Sequence, residues 1–225
     1  MNIKNKILIK AVILIGMVLG TTAAFAAKDV FPGIIDPCEQ LWLVNDPNNP
    51  YEDANAGGEC IDVPVNLTKA KVVFNLDTTV KNPDGSPIGL KHMVMFGNAM
   101  KHRIAIGEVD PVDVAIVGVL HGDAMRAKWA FKNIPEGNNP MASWIEQIFA
   151  LANPTDGSPA INMHLEACGV TLKGMQKNGA TLGNGQPLDE RAIYSSANGK
   201  IYLNQGALGR IIELQQNKFV YIQDD

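Results

Sequence analysis

From about residue 70 onward the chain alternates between two hydrophobic rhythms, each stretch bounded by turn residues. Lys71-Val72-Val73-Phe74-Asn75-Leu76-Asp77 is a short β-rich run that stops before Asn82-Pro83-Asp84-Gly85. Gly89 to Ile106 places Leu90, Met93, Phe96, Gly97 and Met100 at helical spacing, which predicts a helix. Asp113 to Leu120 is almost continuously apolar, as a strand buried on both faces should be. His121-Gly122-Asp123 ends it, and Ala124 to Phe131 fits a short helix. Pro140 to Leu151 predicts another, with proline in its first turn and Trp144, Ile145, Ile148 and Leu151 facing inward.

The next strand has a different pattern. Between Ile161 and Ala167, Ile161, Met163 and Leu165 alternate with Asn162, His164 and Glu166, so one face is apolar and the other polar. Cys168-Gly169 follows, then a helical stretch over Val170 to Lys177. Ala192 to Leu203 contains a strand-like segment broken by Asn198-Gly199. Asn204 is placed to cap a helix with Ala207, Leu208, Ile211 and Ile212 inward, and Phe219 to Ile222 forms a last strand. The order β-α-β-α-α-β-α-β-α-β predicts a single compact α/β domain with an open, mainly parallel sheet flanked by helices.

The first 69 residues are of another kind. Lys4, Lys6 and Lys10 precede the apolar run Ala11 to Gly20, which is too short for a membrane span; Ala24-Phe25-Ala26 then supplies a small-residue cleavage site. Residues 1–26 therefore read as a secretory signal peptide, and the expected location is periplasmic or secreted, with no membrane attachment after cleavage. Residues 27–69 hold Pro37, Pro47, Pro50 and Pro64, a run of Asn and Asp turn residues, and Ala56-Gly57-Gly58. Only Leu41 to Val44 offers an apolar patch, so this is an irregular extension without a core of its own. Residues 70–225 make up the α/β domain.

Cys38 and Cys60 bracket the extension, 22 residues apart. In an oxidising compartment a bond between them closes a loop worth roughly 3 kcal/mol on the chain-entropy model. The alternative is two unpaired thiols. Net charge is −4, and loss of the three signal-peptide lysines makes the mature chain near −7. An acidic chain lacks the basic face of a nucleic-acid binder.

Familiar catalytic signatures are missing: there is no G-x-G-x-x-G after the first strand, no P-loop, no G-x-S-x-G, no H-E-x-x-H and no C-x-x-C. No cofactor or resident metal is expected. Cys168 is the residue that stands out. It falls where a strand ends and a helix begins, at the edge where open α/β sheets bind ligands. Amide groups at a helix start favour an anion and so favour a thiolate. The competing reading is a small buried hydrophobe, the usual state of a free cysteine. His121 ends the second strand at the same edge; it either supports a thiolate there or orients the Gly122 turn. His164 shares strand parity with Cys168 but sits four residues upstream, and Asp123 suits a helix cap. His92, Met93, Met95, Met100 and His102 crowd one helix with ligands soft enough for Cu(I), although methionines on an apolar stripe ordinarily pack a core.

Four segments carry a family resemblance. Cys168-Gly169-Val170-Thr171-Leu172-Lys173 after its alternating strand resembles the cysteine segment of DsrE/DsrF-like proteins. Lys71 to Leu76 is similar to their first strand, Val117 to Ala124 to their second strand and His-Gly turn, and Glu213 to Ile222 to their last helix and strand. The resemblance spans roughly residues 70–223 in matching order. It implies a domain that assembles as trimers or hexamers, in which the cysteine matching Cys168 carries a persulfide between an unidentified donor and acceptor. On this reading the protein is a candidate sulfur carrier, at most sulfurtransferase-like in its chemistry. The alternative is a non-catalytic oligomeric binding or assembly module. Export, and the extension at 27–69, depart from the cytoplasmic relay proteins of the family.

Non-reducing peptide mapping of the exported protein is expected to find Cys38 linked to Cys60, with Cys168 free. Recovery of Cys168 bonded to either partner would contradict this assignment.

Overall fold

The computed structural model describes residues 67–223 apart from 68, 135–136, 183–184 and 186. The expected signal peptide, the extension as far as residue 66 and the Cys38–Cys60 link lie outside the described residues. The elements are β1 (Ala70–Leu76), α1 (Ile88–Ala105), β2 (Val114–Leu120), α2 (Gly122–Arg126), a short hairpin of β3 (Asn133–Ile134) and β4 (Gly137–Asn138), α3 (Ala142–Ala152), β5 (Met163–Cys168), α4 (Gly169–Lys177), β6 (Tyr202–Asn204), α5 (Ala207–Gln216) and β7 (Val220–Gln223). Five of the strands form one sheet in the order β6-β5-β2-β1-β7, every pair parallel. The fold is α/β, as the alternation of patterns predicts.

Chain handedness explains where the helices sit. Parallel crossovers are right-handed, so connections that step the same way along a sheet put their helices on the same face. The chain steps from β1 to β2, β5 and β6 in one direction, and the inward residues of α1, α3 and α4 all join one large core. Leu90, Met93, Ile145, Ile148, Leu172 and Met175 meet Val72, Phe74, Ile116 and Leu165 there. The last crossover runs back over the whole sheet to β7. Its helix, α5, therefore falls on the opposite face, where Ala207, Ile211 and Leu214 pack on Val73, Val117, Val119 and Cys168. Among the described residues, one helix of ten residues covers that face.

Strand parity assigns each residue to a face. Met163, Leu165 and Ala167 point into the large core, while His164, Glu166 and Cys168 point to the α5 side. β2 is buried on both faces, which accounts for its nearly unbroken apolar run.

Two expectations need correction. Of Ala192 to Leu203 only Tyr202–Leu203 enter the sheet. The Asn198-Gly199 turn folds the preceding segment back, with Ser196 N–H bonded to Gly199 O at 2.8 Å, and Tyr194 ties it to Glu146 of α3 instead. In α5, Leu208 and Ile212 are exposed rather than inward. The helix is rotated so that Arg210 reaches the sheet, and Gly206, not Asn204, occupies the N-cap. Among the described residues no helix is long and apolar enough to cross a membrane.

Candidate functional site

Cys168 ends β5 and is at the same time the N-cap of α4, so strand passes to helix without a loop. Gly169 makes the turn possible: a Cβ there would lie 2.6 Å from the carbonyl oxygen of Asn204 on the adjoining strand. The sulfur accepts the Thr171 N–H of α4 at 3.5 Å and the Ala207 N–H of α5 at 3.3 Å. Two helix starts thus converge on one thiol. Each contributes an otherwise unsatisfied amide and the positive end of a dipole. The residue is only 4% exposed and packs among valines, Ile211 and Leu214. Burial pushes the thiol pKa up, but the hydrogen bonds from Thr171, Ala207 and Val170 outweigh it and leave the thiol below its ordinary value.

His121 stands one residue beyond the pair Leu120–Ala167, level with Cys168 on the neighbouring strand. Its ring turns the other way. Nε2 lies 2.5 Å from Asn75 Oδ1 on β1. Asn75 in turn donates to Gln223 at 2.7 Å, and Gln223 reaches Asp77 at 3.2 Å. Burial lowers the His121 pKa, and the Asp77 carboxylate offsets this only in part, so the imidazole is neutral at neutral pH. The Gly122 turn beside it has φ +52° and rests on Asp77 O. His121 therefore stitches β1 to β2 at the carboxyl edge, and its ring bonds Asn75 rather than the thiol. Asp123 pairs with Arg126 at 2.7 Å in α2.

The sequence reading passed over the most heavily bonded group near Cys168. Glu166, two residues upstream on the same face, is 4% exposed. Arg210 Nε donates to its two oxygens at 2.9 and 3.0 Å, and Nη2 to Oε1 at 2.8 Å. Asn204 Nδ2 donates to Oε2 at 3.1 Å, and His164 Nε2 is 2.9 Å from Oε1. Burial pushes this carboxyl up, yet the donors and the Arg210 charge hold it at about 2. Two features mark the pair: β5 lies between two other strands, so a glutamate on it needs a partner, and Arg210 is the one basic residue of the last helix.

Among the described residues β6 pairs only with Glu166–Cys168, so the sheet they form ends beside the first half of β5. A cleft of about 890 Å³ opens there, walled by Phe149, His164, Tyr202, Asn204 and Arg210, with Lys200 at its margin. The His164 and Tyr202 rings meet edge to face at 5.7 Å, and the Lys200 ammonium lies 5.0 Å from the Tyr202 ring centre. On α1, Met93 and Met100 are core residues while Met95 is exposed, so the helix divides the sulfur ligands rather than gathering them. Among the described residues no group of three or more His, Cys, Asp or Glu is placed to hold a metal.

No protein-family model and no curated protein matches the chain. Among solved structures it is similar to the protein of unknown function MTH1491 from Methanobacterium thermoautotrophicum. The identity is 12%, with a TM-score of 0.38, over 69% of this chain and 99% of that one.

The depressed Glu166 pKa has a defined sign. Its stabilisation is complete above the ordinary value of 4.5 and is lost as pH falls toward about 2. Over that window the loss is of order 3 kcal/mol. Denaturant unfolding across it should show wild type losing stability steeply, and Glu166→Gln, less stable at neutral pH, losing much less. Equal acid slopes would refute the role assigned to this carboxylate.

Proposed function

We propose that this protein is an exported, DsrE-like sulfur carrier that works through Cys168. One observation carries the reading: the amides of two helix starts converge on this sulfur at the carboxyl edge of a parallel sheet. The thiolate attacks the terminal sulfane sulfur of a donor persulfide or polysulfide. A bond forms between that sulfur and Sγ, the donor's S–S bond breaks, and the donor leaves as a thiolate or as a polysulfide anion one sulfur shorter. An acceptor thiolate then attacks the outer sulfur and Cys168 departs as thiolate again. No external oxidant or reductant enters, since sulfane sulfur passes from one thiolate to the next. Because the sulfur lies beneath the first turn of α5, transfer requires that turn to move.

The carrier works as an oligomer. Leu208, 75% exposed, and Ile212 stand one turn apart on the outer face of α5, and Val170 lies beside Gly206 at the helix start. An apolar strip of this kind on a helix suits burial against a second copy.

A second reading has its own support. Cys168 is buried, whereas the cleft beside β5 is open and bordered by Asn204, whose buried Oδ1 lacks a hydrogen-bond partner. On that reading the protein is a binding module, the cleft is its site and Cys168 only packs.

Incubation of the native protein with polysulfide separates the two. The carrier gains the mass of one or more sulfur atoms, and Cys168→Ser abolishes the gain while keeping the fold, because the exchange nearly conserves volume. Absence of any gain in wild type would end the carrier reading and leave the module. Light scattering of the mature chain should give a closed multiple of the protomer, with three or six favoured. Leu208→Glu should reduce it, and a wild-type monomer at micromolar concentration would overturn the assembly.

A further inference from the structure

We propose that Glu166 and Arg210 are positioning residues for Cys168: their ion pair pins the first turn of α5 to β5 and thereby holds the Ala207 amide on the sulfur. The inference extends the sulfur-carrier reading by naming what sets the state of its thiol.

Three placements support it. Glu166 and Cys168 share one face of one strand, two residues apart, so whatever grips Glu166 is gripped beside the sulfur. Arg210 lies one turn after Ala207 in a continuous helix, with its own N–H bonded to Gly206 O at 3.0 Å. A carboxylate fixed to Arg210 therefore fixes the position of the Ala207 N–H. Finally, the inward apolar residues of this turn are few. Leu208 points to solvent, and Ala207 offers a single methyl group. The two-pronged guanidinium bond, rather than apolar packing, locates the helix start.

Glu166→Gln breaks the grip without removing volume. Arg210, Asn204 and His164 all direct nitrogen at the two carboxylate oxygens. An amide replaces one oxygen by an NH2 group, which faces donors and leaves at least one of them without an acceptor. Direct electrostatics and positioning then predict opposite signs. Removing a negative charge close to the sulfur would by itself lower the thiol pKa. Losing the Ala207 hydrogen bond raises it. Other ionisable groups on the elements around the sulfur are Glu213 on α5, Tyr202 on β6, Lys71 on β1, Asp77 and His121 at the neighbouring strand ends, Asp123 and Arg126 on α2, and Lys173 and Lys177 on α4. Glu166→Gln and Arg210→Lys leave all of these in place.

The test is a pH titration of ultraviolet thiolate absorbance in the folded full-length chain. The titration of Cys168→Ser is subtracted so that the signal belongs to Cys168. Glu166→Gln should raise the Cys168 pKa by about one unit, a roughly tenfold loss of thiolate below the midpoint. Arg210→Lys keeps the charge but loses the fork, and should raise it in the same direction; it also serves if Glu166→Gln does not fold. Glu213→Gln, which removes only the exposed partner of Arg210, should leave the value unchanged. An unchanged or lowered pKa in the folded Glu166 or Arg210 variant overturns the proposal. The outcome is independent of sulfur loading. A rise in pKa with no sulfur gained by wild type would end the carrier reading and leave the positioning role intact.

Discussion

A carboxylate taken out of water must be neutralised, and at Glu166 that requirement organises the back of the sheet. Burying the charge would cost several kcal/mol if it were unpaired. The only guanidinium brought within reach is on α5, so the helix must present Arg210 inward at the level of Glu166. Its remaining phase follows. Ala207, Ile211 and Leu214 share the inward side, while Leu208 and Ile212, the residues an apolar count would have buried, turn to solvent. The pair thus sets the orientation of the helix that covers this face among the described residues, and with it what lies above Cys168.

That arrangement gives the thiol two opposed properties. The helix start that covers the sulfur also supplies one of the amides stabilising its anion, so shielding and activation come from the same turn. A thiolate buried among valines without donors would be strongly disfavoured. With the Thr171 and Ala207 amides in place the balance falls the other way. On the opposite side of β2, His121 takes no part in this balance. It is committed to Asn75 and, being neutral, adds no charge at neutral pH. The carboxyl edge is therefore divided: a hydrogen-bonded chain through Asp77, Gln223, Asn75 and His121 joins β7, β1 and β2, while β5, β6 and α5 enclose the sulfur.

The alternation of strand and helix, the doubly buried β2 and the split faces of β5 were all legible in the residues. Each depends on local periodicity, and periodicity survives whatever the chain packs against. The place of Cys168 at a strand-to-helix junction was legible for the same reason. What the linear pattern misjudged were segments whose structure depends on distant partners. Ala192 to Lys200 has strand composition, yet it bonds to α3 and to its own turn rather than to the sheet.

By itself, then, the sequence determined which residues share a face and where strands hand over to helices, because these follow from the geometry of the backbone and from side-chain polarity. Tertiary structure decided which group each face meets. The reversal of direction after β6 sends the last helix to the face opposite the others, and only that crossover brings Arg210 to Glu166 and the Ala207 amide to Cys168. These contacts join positions 44 and 39 residues apart in the chain, and no local pattern encodes such a distance. It is handedness and the cost of a buried charge, acting on the assembled sheet, that close it.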